Sequence, residues 1–399
     1  MKNLNTSLGV ILLMLLMAAG AAAQTPMAGA NIGQRITPDD ARMVARGGWG
    51  MAVADTTHPG FKNIASLTYL RHMVLKYTGY GELADSEGPE GVRQTSGVYS
   101  PGLQFALPVK KNRLGITAGF SMNGSTRWDS QDTTSWVVDG SVIEGGTVAI
   151  REGTRFKVPL GVAWRPFGRM SFAAAVNLES GSILENVNEA FDEVGVDPTF
   201  KETKDLFRGT SYTLGVLWKP FERLSMGASW TPAYDLGVDR TVQVVGVTSR
   251  HTESWDMHMP EEYMAGFQLR FAKRWQIGAD AQYMPFSNFS GNDAWAADME
   301  DEQTLGFGLE RLKANERRAG MKNLPLRLGA NYHRWGYRVG GEPIDEYTAS
   351  IGTGFAFGQD LGQLDLSFSY GVIGDLEKNG VKSDVYRLGI SITGLEAWW

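Results

Sequence analysis

Apolar and polar side chains alternate with period two along this chain, almost to its last residue. In the segment 324–333, Leu324, Leu326, Leu328, Ala330 and Tyr332 alternate with Pro325, Arg327, Gly329, Asn331 and His333. Segments 347–357, 364–372 and 386–393 repeat the pattern, with Phe355, Leu366 and Ile390 on apolar faces and Ser369 and Gly389 opposite. Segments 114–122, 158–164, 170–178, 212–218, 263–271 and 275–283 read the same way. Successive side chains of a strand point to opposite sides of a sheet, so this period dictates strands with one apolar and one polar face.

A soluble sandwich and a membrane barrel both satisfy that rule. Two features favour the barrel. Aromatic residues end many apolar faces (Trp164, Trp218, Trp275, Tyr283, Tyr332, Tyr347), as the girdles at the two membrane interfaces require. Connections also alternate in length: 110–113, 166–169, 219–223, 272–274 and 358–362 are tight. Those near 79–95, 123–149, 180–207, 246–260, 290–303, 334–345 and 374–383 are longer. Short periplasmic turns and long external loops are the habit of outer-membrane barrels. Parity then gives about fourteen antiparallel strands, an even number as the rule demands. It holds if 224–245 is one strand bent at Pro232 and if a strand lies within 303–317, where residues 309–313 read equally as a short helix.

The start of the chain supplies the export signal. A basic Met1-Lys2-Asn3, an apolar run from Leu8 to Gly20 and small residues Ala21 to Ala23 predict a signal peptide over 1–23 and a mature start at Gln24. No later stretch reaches the 18 or so apolar residues of a spanning helix. A hydrophobic fraction of 43% excludes a disordered chain. The absence of cysteine excludes disulfides and thiolate chemistry, and a net charge of -6 argues against a nucleic-acid partner. Residues 24–67 do not alternate and are rich in Gly and Ala. They read as a periplasmic tail or a lumen plug, and the lumen of so wide a barrel favours the plug. The domain plan is therefore plug 24–67, all-β transmembrane barrel 68–394 and a C-terminal extension 395–399 carrying Trp398 and Trp399.

Ala41-Arg42-Met43, the run from Arg46 to Asp55, and the run from Phe61 to Leu67 together resemble the N-terminal signature of the FadL-type family of outer-membrane transport proteins. Asn63 and Ala65 match that family's Asn-Pro-Ala motif, with Ile64 in place of the proline. Gly227 to Trp230 with Pro232 and Leu236, Met259-Pro260 leading to Gly266, and Arg274-Trp275 with Gly278 to Asp280 are also similar to the family. The tail from Leu324 to Ile392 resembles members from Bacteroidetes-like bacteria. The resemblance implies a fourteen-stranded barrel closed by an N-terminal plug. It implies capture of hydrophobic molecules between external loops and their lateral release at a kinked strand. It also puts Gly47, Gly48, Asp55 and Asn63 on the plug.

Each candidate carries two readings. Gly47 and Gly48 allow tight turns or close approach to the wall; a flexible tail would use them too. Asp55 and Asn63 bond backbone groups or inward arginines such as Arg270 and Arg327. Trp49, Met51 and Phe61 line a hydrophobic pocket or simply pack against the wall. Pro232 removes a ladder donor, marking a lateral exit or a harmless bulge. His251, Glu253 and His258 have no zinc spacing and read as a solvated loop. Gly352-Thr353-Gly354 lies in a strand and is no phosphate loop. Acids at Glu82, Asp85, Glu87 and Glu90, and at Asp293, Asp298, Glu300, Asp301 and Glu302, read as loop solvation or as sites for divalent ions bridging lipopolysaccharide.

No nucleophile motif, metal set or cofactor motif stands out, so no enzyme is expected. The expectation is a monomeric outer-membrane channel for small hydrophobic molecules such as long-chain fatty acids, inserted by the barrel assembly machinery among outer-membrane lipid and lipopolysaccharide. The alternatives are an accessory barrel of a type IX-like secretion system and a structural barrel without transport.

Overall fold

The computed structural model describes residues 25–29, 32–57, 60–89, 91–138, 141–191, 198–245, 250–291, 298–313, 324–358 and 361–397. The leader 1–23, His58, Glu90, Asp293, Trp398 and Trp399 lie outside the described residues. Fourteen antiparallel strands close into a barrel. They are β1 (His72–Gly88), β2 (Gly91–Lys110), β3 (Leu114–Val138), β4 (Ser141–Phe167), β5 (Met170–Phe191), β6 (Thr199–Phe221) and β7 (Leu224–Thr231 and Tyr234–Val244). The second half comprises β8 (Arg250–Met259 and Glu262–Arg270), β9 (Trp275–Met284), β10 (Glu302–Arg311), β11 (Leu326–Val339), β12 (Glu342–Phe357), β13 (Gly362–Ile373) and β14 (Lys382–Ala397). Each strand pairs with the next, and β14 pairs with β1 to close the ring.

The alternation maps onto the two faces of the wall. Phe355, Leu388, Phe307 and Trp218 are exposed outside, while Arg327, Ser369 and Gly389 are buried or turned inward. Tyr332 packs against Tyr347 and Tyr370 against Tyr386 in tilted pairs, with ring centroids 5.3 Å apart in both, at the long-loop margin of the apolar belt. Trp164, Phe167, Trp218 and Phe221 are exposed at the short-turn margin. An outward apolar band between two aromatic girdles is the surface a bilayer demands.

Three elements differ from, or complete, the sequence reading. Segment 302–311 is a strand, its outward Leu305, Phe307 and Leu309 alternating with Gly306, Gly308 and Glu310. Most of the long connections are strand rather than loop. β3 to β6 run 25, 27, 22 and 23 residues, where a membrane crossing needs about 9–11. Toward the tip of β3 both sheet faces meet water, residues 131–133 being exposed in succession, so no apolar face remains to alternate there. The last strand does not stop near 394: Leu395 pairs with Val74 and Ala397 with His72, because β1 supplies partners that far.

The described residues between 25 and 70 run along the inner face of the wall. Gln34 and Arg35 pair with Ser125 and Gly124 of β3. A helical turn over Ala41–Val44 is capped by Asp40, whose side chain accepts from the Met43 amide. A 3₁₀ turn over Ile64–Tyr69 is capped by Asn63, which accepts from the Ala65 amide. A large apolar cluster, including Met27, Ile32, Phe207, Met257, Met299, Trp335 and Ile344, packs inside the long-loop end.

Candidate functional site in the barrel lumen

The N-terminal segment meets the wall where the wall has no side chains. Gly306, Gly308 and Gly329 face the Arg46–Gly47 backbone so closely that a Cβ on any of them would collide with it. Gly47 and Gly48 have φ of 73° and 82°, left-handed values that glycine alone adopts without strain. The Gly47 carbonyl accepts from Asn331 Nδ2 at 3.2 Å.

Beside this contact lies a charge cluster. Glu310, fully buried on β10, accepts from Arg42 Nε at 3.0 Å, Arg46 Nη1 at 2.9 Å, Arg327 Nε at 2.9 Å and Gln276 Nε2 at 2.6 Å. Arg327 also meets Asp365 at 2.8 Å. Asp55 takes its guanidinium from Arg42, at 3.1 Å, on its own segment. Arg270 is exposed instead of facing the N-terminal segment. Buried charges are tolerated only when paired and hydrogen-bonded in this way.

Polar contacts continue along the segment. Asp280 accepts from the Gly50 and Met51 amides at 2.7 and 3.0 Å. Asn63 donates to the carbonyls of Met51 (3.0 Å) and of wall residue Val216 (2.9 Å). The sequence reading named Asn63 and Arg327. It gave no site role to Glu310, whose only signal was an acid on the inward face of a strand, or to Asp280, which it named only within the family-like stretch Gly278 to Asp280. Trp49 and Met51 are fully buried. The Trp49 ring lies against Gly278 and under the Arg46 guanidinium, 3.9 Å from its centroid. Phe61 instead borders a cavity of about 90 Å³ shared with Ile64, Phe120, Thr231 and Met264.

Two groups placed in loops by the sequence reading sit elsewhere. Glu82 is buried and pairs with Arg387. Glu302 is buried between Arg35 and His333, at 3.2 Å from each. Their strands carry them into the lumen, where acids need partners. His258 bonds Asp235 at 2.9 Å, and His251 is exposed.

Above the segment, a cavity of about 40 Å³ is walled by Met259, Met284, Phe286 and Met299 on one side and by Arg155, Lys157 and Glu179 on another. Arg155 is 6% exposed and makes no hydrogen bond or ion pair with a described residue. It sits between Gly124 and Gly181 on the flanking strands, where any side chain would fill its space.

The wall is broken next to this cavity. Between β6 and β7 the ladder stops at Leu214–Trp230 and resumes at Gly209–Leu236. Between β7 and β8 it skips from Thr231–Glu262 to Tyr234–Met259. Pro232 and Pro260 occupy the two gaps on adjacent strands, and neither can donate to a ladder. On the lipid side lies a groove of about 700 Å³ lined by Leu214, Ala228, Trp230, Tyr263, Ala281 and Tyr283.

The sequence matches the family model described as BamG over residues 2–399. The chain belongs to the BamG family. No curated protein matches it. Among solved structures it is similar to a Pseudomonas aeruginosa FadL homologue, with TM-score 0.65 and 13% identity over 92% of this chain and 99% of that one. The Ralstonia pickettii toluene transporter TbuX gives 0.56 and 14% over 90% and 98%. The Pseudomonas putida toluene transporter TodX gives 0.55 and 13% over 92% and 100%. At such identities the likeness is one of fold: this BamG-family chain is an outer-membrane β-barrel of FadL-type architecture.

Proposed function

We propose that this barrel passes small hydrophobic molecules, long-chain fatty acids among them, across the outer membrane by gated passive diffusion, with residues 24–67 as the plug. The observation that carries the reading is the double break at Pro232 and Pro260. Thr231, Pro260 and Glu262 line the cavity on the inside, while Ser229, Trp230, Tyr263 and Met264 line the groove outside. A solute crossing there would move from lumen to hydrocarbon without meeting the periplasm.

In this reading Met259, Met284, Phe286 and Met299 take the apolar body of the solute, methionine being adaptable in shape. Arg155 offers its unpaired guanidinium to a carboxylate. Gly47 and Gly48 give the plug its bend, Asp55 and Asn63 hold it, and Phe61 borders the route. Trp49 and Met51 anchor the plug.

The chain has no cysteine of its own, so a tether can be placed cleanly. Ser225 Oγ lies 2.7 Å from the Ala52 carbonyl. The pair Ala52→Cys with Ser225→Cys, oxidised, should slow uptake of a fluorescent fatty acid into proteoliposomes, and reduction should restore it. Unchanged uptake in the verified crosslinked protein would remove the plug as gate.

A second reading is an accessory barrel of an outer-membrane machine, such as a type IX-like secretion system. The apolar cluster closing the long-loop end and the strands of β3 to β6 standing clear of the belt favour it. Uptake no faster than in barrel-free vesicles, together with a protein partner lost when the 131–148 ribbon is shortened, would select it.

A further inference from the structure

Cations gather at the short-turn end of the barrel although the chain as a whole carries a net charge of -6. Four successive turns, 110–113, 165–169, 219–223 and 270–274, hold ten Lys and Arg and one acid, Glu222. Two of them repeat one pattern, Trp164-Arg165-Pro166-Phe167-Gly168-Arg169 and Trp218-Lys219-Pro220-Phe221-Glu222-Arg223. Arg165 and Lys219 turn inward over the Tyr69 ring, at 4.3 and 5.9 Å. The exposed cations are Lys110, Lys111 and Arg113 of the first turn, Arg169 of the second, Arg223 of the third, and Arg270 and Lys273 of the fourth. None of these seven makes an ion pair with a described residue.

Their place in the wall says what they face. Trp164 (55% exposed), Phe167 (67%), Trp218 (45%) and Phe221 (68%) stand outward in the same turns. These rings mark the interface at the end of the hydrocarbon belt, where amphipathic aromatics settle. Cations at that level meet the head groups of the leaflet next to the short turns, which in an outer-membrane barrel is the periplasmic one. They are spread over four neighbouring turns of the wall instead of being gathered into one spot, as a lipid annulus requires.

We infer that this rim binds the phosphate of anionic phospholipids, of the phosphatidylglycerol kind, in the periplasmic leaflet. A solvated cation at a membrane surface contributes about 1 kcal/mol of attraction to anionic lipid, or roughly fivefold in occupancy.

The test is native mass spectrometry of the full-length barrel released from micelles holding equal phosphatidylglycerol and phosphatidylethanolamine. Wild type should retain phosphatidylglycerol about fivefold over phosphatidylethanolamine, and 0.5 M salt should erode the preference by screening. The triple variant Lys110→Gln, Lys111→Gln, Arg113→Gln removes three of the seven exposed cations and should retain roughly half the phosphatidylglycerol. If that variant fails the gel-shift test for a folded barrel, Arg169→Gln with Arg223→Gln replaces it. The control Lys201→Gln, Lys204→Gln, Arg208→Gln removes the same charge from exposed residues at the opposite end and should keep the preference. Equal retention of the two lipids by wild type would overturn the inference. So would an equal loss in the control. Capture of an acidic periplasmic protein by a rim with no lipid preference would overturn it in favour of a protein partner.

Discussion

Glu310 of the wall and Arg46 of the N-terminal segment form an ion pair at 2.9 Å, with side chains only 1% and 2% exposed. They lie 264 residues apart in sequence, yet their bond joins the segment to the strand that faces it. Arg42 and Arg327 converge on the same carboxylate.

Removing that carboxylate would leave three buried guanidinium groups competing for fewer acids. Breaking a buried pair by deleting one partner costs about 3–5 kcal/mol. Glu310→Gln should therefore lower the temperature at which the folded, gel-shifted barrel is lost. Glu300→Gln, which breaks the more exposed pair with Arg338, should cost about 1 kcal/mol or less. Equal effects would mean that the lumen cluster adds nothing beyond a surface pair.

Gly47 and Gly48 should respond differently to alanine. Both pay for a left-handed backbone, about 1 kcal/mol each. At Gly47 a Cβ would also strike the carbonyls of Phe307 and Ala330, which are strand backbone and cannot yield. At Gly48 the nearest atom is Asp39 Oδ2 at 3.2 Å, the end of a side chain. Gly47→Ala should be the more destabilising in thermal melts followed by gel shift, by roughly 1–3 kcal/mol. A larger loss at Gly48 would show that the close approach of segment and wall is not what selects glycine.

The extent of the membrane belt can be read by arginine substitution. Ile351 is 45% exposed on the apolar face of β12, midway between Tyr347 and Phe355, and Val142 is 65% exposed near the far end of β4. Arginine facing mid-bilayer costs about 2–4 kcal/mol, falling to about 0–1 near the interface. Ile351→Arg should shift an unfolding titration in vesicles by most of that range, and Val142→Arg should leave it unmoved. A cost at Val142 would put the β3–β4 ribbon in contact with lipid.

What could be read from sequence follows from what each surface touches. Around Leu326, Phe355 and Leu366 hydrocarbon lies outside and a polar lumen inside, so the two faces differ at every step and the strands declare themselves. Toward the tip of β3 both faces are wet, and Ser130 to Thr133 carry no period although they are strand. Segment 302–311 was ambiguous because its inward positions are glycines that make room for Arg46 and Gly47. Those glycines are explained only by a segment some 260 residues away. Asn63 and Asp280 both stand in family-like stretches, but that Asp280 holds the Gly50 and Met51 amides is a relation only the fold reveals. Pro260 was read only as part of a family-like stretch, because its significance lies in standing beside Pro232, a relation that only strand pairing reveals.

That relation yields the last prediction. The two prolines leave Thr210 to Thr213 of β6 without ladder partners on the β7 side. Replacing both by valine restores two donors and a residue that suits a strand. In Pro232→Val with Pro260→Val, the two new amides, at 232 and 260, should exchange more slowly than unbonded amides, by about fivefold for each hydrogen bond gained at ~1 kcal/mol. If solutes leave the lumen through this break, uptake of the fluorescent fatty acid should fall in the same variant while the thermal stability of the barrel holds or rises. Slower exchange with unchanged uptake would keep the ladder argument and move the exit elsewhere in the wall. Exchange at the unbonded rate would mean that the break is not set by the missing donors, the prolines only accommodating it.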